Sequence, residues 1–177
     1  RYGGWIDEIP EITECGVYTL NPITSPENNC FKIASPNSTL EYFVLEYRRK
    51  RGTFEGSAPG TGLLVYRIDK RYDGDGNAGG PPDEVYVYRQ GGTPTSNGSL
   101  SEANLSANEG RTEINNNSDP FAFLQNGQPA GLDISNVGYV GETISFEVSF
   151  NKAPVAGFAS SGTLITEGCS LDFFDNS

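Results

Sequence analysis

Apolar and polar residues alternate with a period of two in several short runs of this chain, and nowhere do they sustain the period of a helix. The clearest run is ISFEVSF, where Ile144, Phe146, Val148 and Phe150 share one face. That pattern predicts a half-buried antiparallel strand closing a longer run, Thr143–Phe150. Shorter runs predict further strands at Gly16–Leu20, Cys30–Ala34, Leu40–Tyr47, Leu63–Ile68, Glu84–Tyr88 and Leu132–Val137. Turn-forming stretches such as NPITSPENN and SPNS separate them. From Gln90 to about Pro120 the chain is rich in Asn, Ser and Gly, with Leu100, Leu105 and Ile114 as isolated anchors. It reads as a long polar loop, with one short helical turn in SLSEANLSANEG.

This pattern predicts an all-β fold, an antiparallel β-sandwich-like domain with long polar loops. Residues 1–151 form that unit. Asn151 to Pro154 reads as a linker, and 152–177 as linker plus the opening of a second, truncated β module. A tail so far below about 40 residues rarely buries enough surface to fold alone. It is expected to lean on the first unit or on a neighbouring chain.

Composition narrows the chemistry. The 177 residues carry 23 acidic and 12 basic side chains, a net charge of −11, which argues against nucleic acid as a partner. The basic run Arg48, Arg49, Lys50 and Arg51 reads as a solvated strand end. There is no histidine, so a His-ligated zinc site or a His-based catalytic triad is excluded within these residues. No apolar run approaches the ~20 residues of a membrane-spanning helix, and RYGGWIDEIP lacks the apolar core of a signal peptide. Cys15, Cys30 and Cys169 form no CxxC pair. A Cys15–Cys30 disulfide is the expected arrangement, implying an oxidising compartment and leaving Cys169 free.

Three groups of residues are candidate sites. Glu46 and Arg48 lie two apart on a strand, facing the same side as Tyr42 and Val44, while Phe43, Leu45 and Tyr47 face the other. With Arg67 and Asp69, which close the next strand, they are read as structural or interface charges. A lone glutamate has no second acid or nucleophile to work with, so no catalytic residue is nominated. In DGDGN, the oxygens of Asp73, Asp75 and Asn77 alternate with glycines, a spacing that suits a hard cation such as calcium. The aromatics Trp5, Tyr18, Tyr42, Tyr66, Tyr86 and Tyr88 would offer a sugar-stacking surface if they shared a face. That leaves a free-standing adhesion or carbohydrate-binding module as the rival functional class.

The run EYFVLEYR, followed after a polar insert by PGTGLLVYRID, resembles the region downstream of the catalytic domain in the immune inhibitor A family of secreted bacterial zinc metallopeptidases. YGGWIDEI at residues 2–9, GVYTLNP and AGLDISNVGYVGETISFEV follow that region in order, so the likeness covers roughly residues 1–150. APVAGFASSGTLITEGCSLDFFDNS is similar to the opening of a polycystic-kidney-disease-type (PKD) β-sandwich module. The resemblance implies a secreted, extracellular bacterial parent that cleaves protein substrates. Its zinc would sit on an upstream H-E-x-x-H helix, and this segment would support or present that catalytic domain. The chain departs from the family at Arg67, where family members tend to carry histidine.

Overall fold

A computed structural model describes residues 8–150. Among these residues seven strands are formed: β1 (Gly16–Leu20), β2 (Cys30–Ala34), β3 (Glu41–Arg48), β4 (Gly62–Asp69), β5 (Val85–Val87), β6 (Leu132–Ser135) and β7 (Ile144–Phe150). Each falls within or overlaps a run of period two. Among the described residues, helix is confined to one turn at Gly52–Glu55 (α1) and two 3-10 turns, Lys70–Tyr72 and Leu100–Glu102. The tail from Asn151 to Ser177, where a second β module was expected, lies outside the described residues, as do Trp5 and most of YGGWIDEI.

The strands form two sheets, β1-β7-β6 and β2-β3-β4-β5, antiparallel throughout. They pack as a β-sandwich. One sheet contributes Leu20, Leu132, Ile134, Ile144, Phe146 and Val148 to the core, and the other Ile33, Phe43, Leu45, Tyr47, Leu63, Val65, Tyr86 and Tyr88. Tyr47 is fully buried and clamps the two layers together. Its hydroxyl donates to the Gly141 carbonyl at 2.9 Å and accepts from the Gly141 amide at 3.2 Å.

The tract from Gln90 to Pro120 is more ordered than its composition suggests. Leu105 bridges to Leu63 and Ile114 to Ile134, and both side chains are fully buried. Two anchors thus sew the polar chain along the edges of the sandwich. Leu100 is the exception, at 48% exposure.

The expected Cys15–Cys30 bridge is not formed. Cys30 is a free, buried thiol, whereas Cys15 is exposed and held in a disulfide. The reason is topological. Although β1 and β2 are consecutive, β1 pairs with β7 and β2 with β3, so Cys15, just before β1, and Cys30, in β2, stand at different sheets.

Candidate functional site

Side chains on β3 and β4 alternate between the core and the outside, and this alternation splits the four charges singled out in the sequence. Arg67 lies opposite Phe43 and Asp69 opposite Glu41, both on the core face. Glu46 lies opposite Leu64 on the outer face, with Arg48 at the end of the same row. The structure therefore builds two charged clusters, one on each side of the four-stranded sheet.

The inner cluster is buried. Arg67 is 2% exposed, Asp69 0% and Glu41 4%. Arg71, on the 3-10 turn after β4, completes it. Its Nη2 donates to Glu41 Oε1 at 2.7 Å and to Asp69 Oδ2 at 2.6 Å, and its Nε to Asp69 Oδ1 at 2.8 Å. These bonds to Asp69 hold the Arg71 guanidinium above its ordinary pKa. Arg67 Nε lies 3.4 Å from Glu41 Oε2, and its guanidinium sits against the rings of Tyr86 and Phe123. With two acids and two bases, the cluster is neutral. It braces the end of the sheet, with Arg71, 38% exposed, as its one solvent-facing member.

The outer cluster is half-open. Tyr66 Oη and Arg48 Nε both donate to Glu46 Oε1, the latter at 2.6 Å, and Arg48 Nη1 donates to Glu55 Oε1 on α1 at 2.9 Å. Arg48 is therefore not a solvated strand end but the centre of a network. Burial alone would lower its pKa, yet the bond and charge of Glu46 outweigh this and raise it. Burial first, and then Glu46, push the Tyr66 hydroxyl above its ordinary range. Burial, followed by Glu46, likewise raises the Cys30 thiol. Arg49 instead reaches the exposed Glu142, at 3.1 Å.

Around this network the outer face is unusually apolar. Register places Val44, Tyr66 and Val87 in one row and Tyr42, Ile68 and Val85 in the next, all half-buried. Lys32 and Lys70 flank the Tyr42 ring, at 5.6 and 5.4 Å. The outer face of the other sheet, by contrast, carries Thr19, Asp133, Ser135, Ser145, Glu147 and Ser149, with Val17, 74% exposed, as its one large apolar side chain among the described residues. Beside Tyr66 the apolar rows run into a groove of about 340 Å³ lined by Arg48, Glu55, Pro59, Leu64, Val87 and Leu100, among others.

The DGDGN loop does not gather its oxygens into a cation cage. Asn77 spends its side chain on Val85, donating to the carbonyl at 2.7 Å and accepting from the amide at 3.0 Å. The amides of Gly74 and Gly76 point instead at Glu84 Oε2, at 3.2 and 2.6 Å. Both glycines have positive φ, +96° and +62°, which turns successive N–H groups towards one acceptor. Among the described residues, no three His, Cys, Asp or Glu side chains converge as metal ligands.

The aromatics do not share a face either. Tyr86 and Tyr88 lie in the core, Tyr18 packs on Phe31 and Phe146, and Tyr42 and Tyr66 lie outside.

Sequence reading identified Glu46, Arg48, Arg67 and Asp69 but missed Glu41, Arg71 and Glu55, and it named Tyr66 only among the aromatics, not as a partner of Glu46. Glu41 and Tyr66 had a signal: each lies on a strand whose register the alternation constrains. Glu55 and Arg71 reach the clusters through turns that alternation does not describe. Comparison with family models, curated proteins and solved structures finds no match to this chain.

Proposed function

We propose that this domain is the non-catalytic β-sandwich of a secreted zinc metallopeptidase, holding the catalytic lobe against the outer face of its four-stranded sheet. The motifs resembling the immune inhibitor A family motivate this reading, and one observation carries it. The outer face of β2-β3-β4-β5 presents two apolar rows around a fixed Glu46–Arg48–Glu55–Tyr66 network, while the opposite outer face of the sandwich is polar except for Val17. An apolar patch threaded by a fixed polar network is the composition of an interdomain contact, not of a wetted surface. On this reading zinc and peptide hydrolysis belong to the catalytic lobe, because this chain contains no histidine. Asp73, Asp75 and Asn77 belong to a loop folded onto Glu84 rather than to a calcium site.

The test is to express the coding sequence that precedes residue 1 as a separate chain and mix it with this one. The expected result is an H-E-x-x-H lobe that hydrolyses casein with zinc and co-elutes with this chain. Val44→Glu with Ile68→Glu abolishes co-elution while leaving this chain folded. An upstream sequence without the zinc motif, or co-elution indifferent to those substitutions, overturns the reading.

A further inference from the structure

Cys15 is held in a disulfide that Cys30 does not complete. Cys30 is a free thiol buried in β2, and the chain carries one further cysteine, Cys169, in the tail beyond the described residues. Cys15 immediately precedes β1 and is exposed. The same end of β1 is open along its edge. The Asn28 carboxamide donates to the Thr19 carbonyl at 2.7 Å, and the Asn28 carbonyl accepts from the Asn21 amide at 2.8 Å. Thr19 therefore turns its carbonyl away from β7, and two residues back Val17 turns its amide and carbonyl the same way. No segment among the described residues pairs with Val17 there. On β2 and β6, by contrast, Ile12 bonds to Lys32 and Ile114 to Ile134 along the outer edge. The Val17 side chain, 74% exposed, also stands on an otherwise polar sheet face.

We infer that Cys15 is bonded to Cys169, and that the run after Cys169 seats on the open end of β1. With Cys30 free, Cys169 is the remaining cysteine of the three. The route is short. β7 ends at Phe150, two residues past Val148, and Val148 lies opposite Gly16, so the chain leaves the sheet at the end where Cys15 stands. Residues 151–168 are left to connect the two points. By alternation Leu171 and Phe173 share a side with Cys169, as Val17 does with Cys15, so the bond brings an apolar pair to the exposed Val17. The tail is thereby a strap on the first unit, locked by an exposed bond. A dithiol reductant passes two electrons and two protons to it: the S–S bond breaks, Cys15 and Cys169 become thiols, and the reductant closes to its own disulfide. Cys30, buried, takes no part. This strap stands apart from the docking reading above, which concerns the other sheet.

The experiment uses the full 177-residue chain. Lys152 is its last lysine or arginine, so limited trypsin cuts residues 153–177 off as one fragment. Without reductant that fragment is expected to stay with the rest of the chain through gel filtration in denaturant, and to leave it once dithiothreitol is added. Peptide mapping should find Cys15 linked to Cys169. In the isotopically labelled chain, the amides of Val17 and Thr19 are expected to exchange about tenfold more slowly before mild dithiothreitol than after it. Those of Ile144 and Phe146, paired with β1 inside the sheet, should not change. Cys169→Ser should show the fast exchange from the start, and Cys30→Ser the slow one. A Cys15 linked to Cys30 or to a second chain, a fragment lost without reductant, or Val17 exchange indifferent to reduction overturns the proposal. If either variant fails to fold, the trypsin and reduction arms on the unaltered chain decide.

Discussion

Glu41 and Asp69 stand directly opposite each other across the β3–β4 ladder, both carboxylates buried, and the guanidinium of Arg71 spans the pair. Like charges in that position repel, and the Gln125 amide (2.7 Å from Glu41 Oε2) relieves only one of them. Arg71→Met should therefore destabilise the domain by about 3 kcal/mol, the usual scale for stranding a buried charge. Arg67→Met should cost less, because Arg67 Nε and Nη1 are buried without hydrogen-bond partners and methionine can occupy the space against Tyr86 and Phe123. Urea unfolding of the two variants tests the order; Arg67→Met as the weaker variant would refute this account of the cluster.

The Tyr47 clamp gives a second expectation. Tyr47→Phe keeps the buried ring but removes both bonds to Gly141. Stability should fall by about 1–2 kcal/mol at unchanged denaturant dependence, since the surface exposed on unfolding stays the same. A loss below a few tenths of a kcal/mol would mean that water replaces the hydroxyl at no cost.

Alkali should unfold the domain through its tyrosines. Burial first raises the hydroxyls of Tyr66, Tyr86 and Tyr88 above their ordinary values. Above about pH 10 the unfolded chain loses these protons while the folded chain keeps them, so the folded state binds more protons and stability falls as pH rises. The stability these groups contribute is complete below that pH and is lost progressively above it. Tyrosinate absorbance should show late protons released together with loss of fold. Independent titration of every tyrosine in a folded chain would contradict this.

Thiol chemistry separates Cys15 from Cys30. Without reductant, iodoacetamide should leave Cys30 unmodified in the native chain, because the thiol is buried and burial, then Glu46, disfavours its thiolate. It should react fully once the chain is unfolded. Peptide mapping that finds Cys30 alkylated in the native state would place it outside the sheet.

The DGDGN loop should respond to Glu84 rather than to calcium. Glu84→Ala removes the acceptor for the Gly74 and Gly76 amides at an exposed site, which should cost about 0.5–1 kcal/mol. The melting temperature should be the same in chelator and in calcium. A calcium-dependent rise would show that the cation displaces Glu84 from the loop amides.

Strand identity was legible in the sequence because a strand with one buried face must alternate. ISFEVSF and EYFVLEYR announce both their conformation and their buried sides, and β7 and β3 adopt both. Alternation also placed Glu46 and Arg48 on the side away from Phe43, Leu45 and Tyr47. What it does not carry is which strand pairs with which, since every half-buried strand offers the same backbone donors and acceptors. The assignment of β1 to β7 and β2 to β3 separated Cys15 from Cys30, and the register of β3 against β4 sent Arg67 and Asp69 inward. Turns hid more: α1 and the 3-10 turn after β4 deliver Glu55 and Arg71 from positions with no periodic signature, and two positive-φ glycines aim the DGDGN loop at Glu84. Local periodicity determined the strands and their buried faces; long-range pairing and turn geometry, which depend on contacts distant in the chain, decided which charges meet.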